Sequence, residues 1–152
     1  MPDDPSSTPP PLRVQRLRET ALLPRRATPH SSGLDVFADF GHADGAALLD
    51  ETPQLIPTGL AIAVPPGFEV QIRPRSGLSR RGVVVAFGTV DADYRGEVRI
   101  NMSYPRGGRF RVRQGERIAQ FVVAPVALSA VLEVTQLSDT ERGDGGFGST
   151  GR

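Results

Sequence analysis

The chain has 152 residues with 18 basic and 17 acidic side chains, a net charge of +1, which suits one domain with a sizeable core and argues against a protein built to coat nucleic acid. It has no cysteine, which excludes disulfides, thiolate nucleophiles and cysteine-ligated metals, and only His30 and His42 are present to build a zinc site or a Ser-His-Asp triad. Every basic residue is arginine, so Walker A and Schiff-base lysines are excluded and any phosphate falls to guanidinium groups, whose fork suits bidentate contacts.

In chain order, residues 1 to 11 come first, with Pro2, Pro5, Pro9, Pro10 and Pro11 among serines and aspartates. Such a segment buries too little surface to offset its ordering and reads as a mobile tail. Its acidic start is unlike a signal peptide, and no apolar run approaches the ~20 residues of a membrane span. A cytoplasmic protein with neither a membrane nor a nucleic-acid partner is expected.

The run Ser32-Gly33-Leu34-Asp35-Val36-Phe37-Ala38 reads as an apolar strand carrying one carboxylate, Asp35, which needs partners or a ligand if it is buried. Phe68, Val70 and Ile72 alternate with Glu69, Gln71 and Arg73 as a half-buried strand. At its exit, Arg75, Ser76 and Gly77 offer a guanidinium, a hydroxyl and a bare backbone, which suits either a phosphate cradle or an ordinary basic turn. A short helix fits part of 77–82. Val83 to Phe87 is a short apolar run that reads as a strand covered on both faces, at a sheet centre or a subunit contact.

Between Gly88 and Glu97 the chain packs acid, aromatic and base together. Asp91 and Asp93, two apart on an extended strand, share one face, and Ala92 and Tyr94 take the other. Val98, Ile100 and Met102 then point inward against Arg99, Asn101 and Ser103, and Phe110 and Val112 alternate with arginines. Ile118 to Val123 reads as a second strand covered on both faces, with Gln120 in it. Turn residues recur about every ten positions, a spacing that points to an all-β sandwich or jelly roll.

The final stretch holds Gly143, Gly145 and Gly148 in G-x-G-x-x-G spacing, with no helix following to receive a pyrophosphate. It reads instead as a flexible arm able to fold over a ligand. Ordering nine or so residues costs on the order of 10 kcal/mol, which contacts made on closure must offset.

In order, SGLDVFA, RPRSGLS, GTVDADYRGE, RIAQF and RGDGGFGSTG resemble the five motifs of the homotrimeric dUTPases, the deoxyuridine triphosphate pyrophosphatases, over residues 12 to 152. The third and fifth segments are the most specific. The resemblance implies a jelly-roll-like β domain over 12–141, a glycine-rich lid over 142–152, and a homotrimer whose three active sites each draw on three chains. It also implies hydrolysis of dUTP to dUMP and pyrophosphate, which limits uracil in DNA and supplies dUMP.

By the same resemblance, Asp91 polarises the water that attacks the α-phosphorus, and Tyr94 packs on the deoxyribose and leaves no room for a 2′-hydroxyl. Arg75, Ser76, Gly77 and Gln120 contact the phosphates, and Asp35 lies near the site and the metal's water shell. Gly88, Thr89, Val90 and Arg99 are further substrate contacts. In the arm, Arg142, Ser149 and Thr150 bind the terminal phosphate, while Phe147, with Gly148 beside it, stacks on uracil. Mg²⁺ is held by the triphosphate and water, with no protein ligand.

One departure touches base recognition. The approach from Gly82 to Asp91 is about two residues shorter than in the relatives this chain resembles, and the only asparagine, Asn101, lies downstream of it. Uracil then depends on backbone groups around Phe87, Gly88 and Thr89 and on Arg99. Two alternatives carry other functions: a dCTP deaminase of similar fold, for which no second acid beside Asp91 is visible, and a non-catalytic nucleotide-sensing module.

Overall fold

The computed structural model describes residues 9–146, and residues 1–8 and 147–152 lie outside that description. Within it the chain forms β1 (Arg13–Arg16), β2 (Leu34–Phe37), β3 (Ala46–Leu49), β4 (Gln54–Ala63), β5 (Phe68–Arg73), α1 (Ser76–Arg80), β6 (Val84–Val85), β7 (Gly88–Val90), β8 (Glu97–Ser103), β9 (Phe110–Arg113) and β10 (Arg117–Pro125). Two four-stranded antiparallel sheets, ordered β1-β4-β8-β6 and β2-β10-β5-β7, and the pair β3-β9 make the jelly-roll-like architecture expected.

Each strand is followed in sequence by a strand of another sheet, so the chain crosses between layers at every connection. That crossing explains the strict alternation on β8, where Val98, Ile100 and Met102 are buried and Arg99 and Asn101 are exposed. The core joins both sheets through Val36, Leu49, Ile56, Ile62, Val70, Ile100, Ile118 and Phe121. Each such side chain contributes about 1.5–3 kcal/mol by leaving water.

The strand β10 lies between β2 and β5, and burial of Ile118, Ala119 and Phe121 fits its expected interior position. By contrast Val83 to Phe87 is not a sheet-centre strand. Strand β6 pairs with β8 alone, at the edge of its sheet, so Val83 and Val85 are buried while Val84 and Phe87 face outward, 47% and 62% exposed. The helix forms one residue earlier than expected, at Ser76–Arg80, and is capped by Arg81 and followed by Gly82, whose φ of +88° and missing Cβ make room for the Arg106 side chain.

Asp91 to Asp93 also differs from the sequence reading. Strand β7 ends at Val90, and the Tyr94 N–H donates to the Asp91 carbonyl (3.2 Å), closing a turn. Arg95 fastens it by donating through Nη1 to the carbonyls of Ala92 (2.7 Å) and Tyr94 (2.8 Å). The two aspartates therefore do not share a strand face.

Candidate active site

Two groups of polar residues flank the sheet β2-β10-β5-β7. The first gathers where β5 passes into α1. Asp35 on β2, Gln120 on β10 and Arg73 on β5 lie in one register row across three strands. The Asp35 carboxylate accepts from Arg75 Nε (2.9 Å) and Arg117 Nη1 (3.3 Å), the partners its burial requires. Arg75 precedes the helix in extended conformation, and its carbonyl receives the N–H groups of Leu78 and Ser79, which leaves Ser76 and Gly77 exposed at the first turn.

Gln120 donates through Nε2 to the Pro74 carbonyl (2.9 Å). It can do so because Gly33 has no side chain: a Cβ there would lie 2.8 Å from Gln120 Cδ. Gly77 is different, since a Cβ at that position would meet nothing within 4 Å. Packing within one chain leaves that glycine without a steric reason.

The second group lines a cleft of about 210 Å³ between β7 and β8, with Thr89, Val90, Asp91, Tyr94, Glu97 and Arg99 around it. Asp91 also borders a larger hollow of about 460 Å³, whose far wall is Val126 and Leu128. Tyr94 is 45% exposed and donates its hydroxyl to the Glu97 carbonyl (3.1 Å). Its ring folds over Gly96, where a Cβ would sit 2.7 Å from Tyr94 Cζ. Gly88 lies against Ile72 on the neighbouring strand, with its missing Cβ 3.0 Å from Ile72 Cδ1.

Behind this cleft lies a charged network that the sequence reading missed. Arg18 donates to the buried Asp39 (Nε to Oδ2, 2.7 Å) and to Glu97 (Nη2 to Oε1, 2.7 Å), and Gln114 Nε2 donates to Asp39 Oδ1 (2.8 Å). Burial pushes the Asp39 carboxyl upward, but hydrogen bonds from Thr20, Gln114 and Arg18 and from the Gly41 N–H outweigh it and hold it below its ordinary value. Glu97 follows the same pattern: burial raises it, and Arg18, the Gly59 N–H and Arg99 bring it below the usual carboxylate range. Arg18 is raised chiefly by its hydrogen bond to Glu97.

Along the sheet the two groups are far apart. Strands β5 and β7 are antiparallel neighbours with Val70 opposite Val90, so Asp91 lies level with residue 69 and some seven residues of about 3.4 Å from Ser76, on the order of 20 Å. One chain thus keeps Arg75, Ser76, Gly77 and Gln120 away from Asp91, Tyr94 and Arg99. Arg142 joins neither group, bonding locally to the Gly145 carbonyl (2.8 Å). Phe147, Gly148, Ser149 and Thr150 lie outside the described residues.

An arginine and hydroxyl cradle at one end of a jelly-roll sheet, and an acid beside an aromatic ring at its edge, define a nucleotide-handling β protein. The sequence profile of the dUTPase family matches residues 19–151. Curated relatives named deoxyuridine 5′-triphosphate nucleotidohydrolase are 46% identical, from Hydrogenobaculum sp., over 92% of this chain and 97% of theirs, and 42% identical, from Nautilia profundicola, over 93% and 99%. The dUTPase of Staphylococcus bacteriophage 80alpha, solved with the dUTP analogue dUPNHPP, superposes with a TM-score of 0.84 at 28% identity, covering 93% of this chain and 99% of that one. The chain belongs to the dUTPase family.

Proposed function

We propose that this chain hydrolyses dUTP to dUMP and pyrophosphate, in sites completed between copies of itself. The observation that carries the reading is the cleft at β7 and β8, where an exposed carboxylate, Asp91, stands beside the ring of Tyr94. Asp91 takes a proton from water as its oxygen attacks the α-phosphorus in line. The bond from that phosphorus to the bridging oxygen breaks, and pyrophosphate leaves. Tyr94 covers the deoxyribose, and a 2′-hydroxyl buried there without a partner costs about 1–3 kcal/mol, which disfavours UTP.

Arg75, Ser76, Gly77 and Gln120 bind the phosphates in this scheme. Reaction geometry requires nucleophile and phosphorus within about 3–3.5 Å, which two groups on the order of 20 Å apart in one chain cannot provide. That separation supports a homotrimer in which one copy's cradle faces another's Asp91 cleft. The apolar side chains left uncovered on residues 126–146 support the same assembly. Arg142, Phe147, Gly148, Ser149 and Thr150 then close the site from a further copy.

Magnesium fits a place on the substrate. Each Asp35 oxygen is already taken by an arginine, an arrangement suited to holding a metal's water rather than the ion itself. The ion, when bound, supplies charge neutralisation on the triphosphate.

With magnesium, dUTP should release one pyrophosphate per dUMP, UTP should be a poor substrate, and Asp91→Asn should lower turnover by at least about a thousandfold with an unchanged melting temperature. Binding of dUTP without pyrophosphate release would make the chain a sensing module. Ammonia released from dCTP would make it a deaminase.

A further inference from the structure

We propose that Glu97 is a positioning residue for the substrate cleft, acting through Arg99 and carried by Arg18. The proposal rests on the reading of that cleft as the nucleoside site of a dUTP hydrolase.

Glu97 opens β8 with its side chain 13% exposed, and every one of its acceptors is engaged in a way that faces either the body or the cleft. On the body side, Oε1 receives two donors, Arg18 Nη2 at 2.7 Å and the Gly59 N–H at 2.9 Å. On the cleft side, Oε2 receives Arg99 Nε at 3.2 Å, and the Glu97 backbone carbonyl receives the Tyr94 hydroxyl at 3.1 Å. Tyr94 and Arg99 are both lining residues of the cleft. One residue therefore holds two of its walls, one through its side chain and one through its backbone.

The carboxylate itself is held from behind. Arg18 is clamped by Asp39, whose side chain is 1% exposed and further fixed by Gln114. Two donors from the body on one oxygen orient the other toward Arg99, a geometry that a free surface glutamate does not maintain. Arg99, 54% exposed, makes one hydrogen bond among those of the described residues, to Glu97. Without that bond its guanidinium samples many rotamers, and binding must then order it.

Glutamine at position 97 separates the two roles. Its carbonyl oxygen can still accept from Arg18 and the Gly59 N–H, and the backbone still accepts from Tyr94, but its amide nitrogen presents donors to the donors of Arg99. Glu97→Gln should thus release Arg99 while leaving Tyr94 in place.

The test is a double-mutant cycle on Glu97→Gln and Arg99→Gln, read by calorimetric affinity for dUPNHPP and by steady-state kinetics with dUTP. Each single change should weaken dUPNHPP binding and raise KM about tenfold, with kcat within about twofold, and the double variant should be no worse than either single. Arg18→Gln, which loosens the carboxylate from the body side, should weaken binding by a few-fold and serves as the second route if Glu97→Gln does not fold. Unchanged affinity in Glu97→Gln, or two losses that multiply in the double variant, overturns the proposal. Wild-type protein that binds dUPNHPP but releases no pyrophosphate from dUTP would refute the hydrolase reading and leave the affinity cycle to decide the role of Glu97.

Discussion

Up to Pro125 the described chain buries a core between its crossing sheets, whereas residues 126–146 carry neither strand nor helix and leave Leu128, Val131, Leu132 and Leu137 between 81% and 99% exposed. The first region holds the core. The second leaves the body at a defined place, where the Val126 N–H donates to the Gly67 carbonyl (2.9 Å) and Val126 and Leu128 wall the hollow beside Asp91. Scattered apolar side chains on a surface are ordinary, but four on one short unstructured segment are a surface waiting for another molecule. Core and assembly are therefore divided under the proposed function: the core lies in the sandwich, and the segment beyond it packs on another copy.

Removing residues 142–152 tests that division most severely. Turnover should fall at least about a hundredfold while the melting temperature moves little, because the described part of the deleted segment, residues 142–146, contributes nothing to the core. Pyrophosphate release and a thermal melt on the same sample check it, and a deletion that unfolds the protein would erase the distinction. Gly33→Ala acts on the body instead. The new methyl displaces Gln120 from Pro74, so KM should rise about tenfold with a smaller loss in kcat, and Gln120→Ala should accompany it without a further penalty.

Leu128→Ser combined with Val131→Ser and Leu132→Ser should lower the mass seen by sedimentation and reduce activity by a few-fold, restored in part at higher protein concentration. A trimer that survives would show that the segment is not the adhesive. The smallest effect concerns acid. Asp39 and Glu97 titrate below their ordinary values when folded, so the unfolded chain binds their protons first, near pH 4. Their contribution is fully present above the unfolded values and is lost as pH falls through the folded ones. Urea midpoints should drop between pH 5 and pH 3, and Asp39→Asn should flatten part of that slope.

Much of the body was legible because it depends on short-range patterns. Period two on Glu97–Ser103 and Phe68–Arg73 identified strands and their buried faces, and Arg-Ser-Gly after a strand marked the turn into α1. What failed was whatever depended on sheet position. Val83 to Phe87 has the composition of an interior strand, and nothing local says that β6 has a partner on one side alone. Asp91 to Asp93 looked extended because alternation cannot register a turn closed by Tyr94 and Arg95.

The site was legible in its residue types and not in its distances. Asp35 was flagged as a carboxylate needing partners, and Arg75 and Arg117, 40 and 82 residues away, are those partners. The contact of Glu97 with Arg18 spans 79 residues, and no local pattern encodes it. Nor could the sequence reveal that the cradle and the cleft stand at opposite ends of two paired strands. Their order along the chain follows the motifs, but the antiparallel pairing of β5 with β7 decides their separation.

The bulge in β4 between Pro57 and Ala61 has a consequence for how this fold tolerates change. Proline at 57 has no N–H to give the ladder, and Gly59 takes a φ of +67° at a point where a Cβ would lie 2.7 Å from that of Ala21. The extra residues take the Gly59 N–H out of the backbone ladder, and it donates instead to the Glu97 side chain on the neighbouring β8. A length change in this strand would thus be felt at Glu97 in the cleft lining, even if every side chain there were kept. Insertions belong in the turn at residues 50–53, whereas the register shift at residues 57–61 places the Gly59 N–H on Glu97.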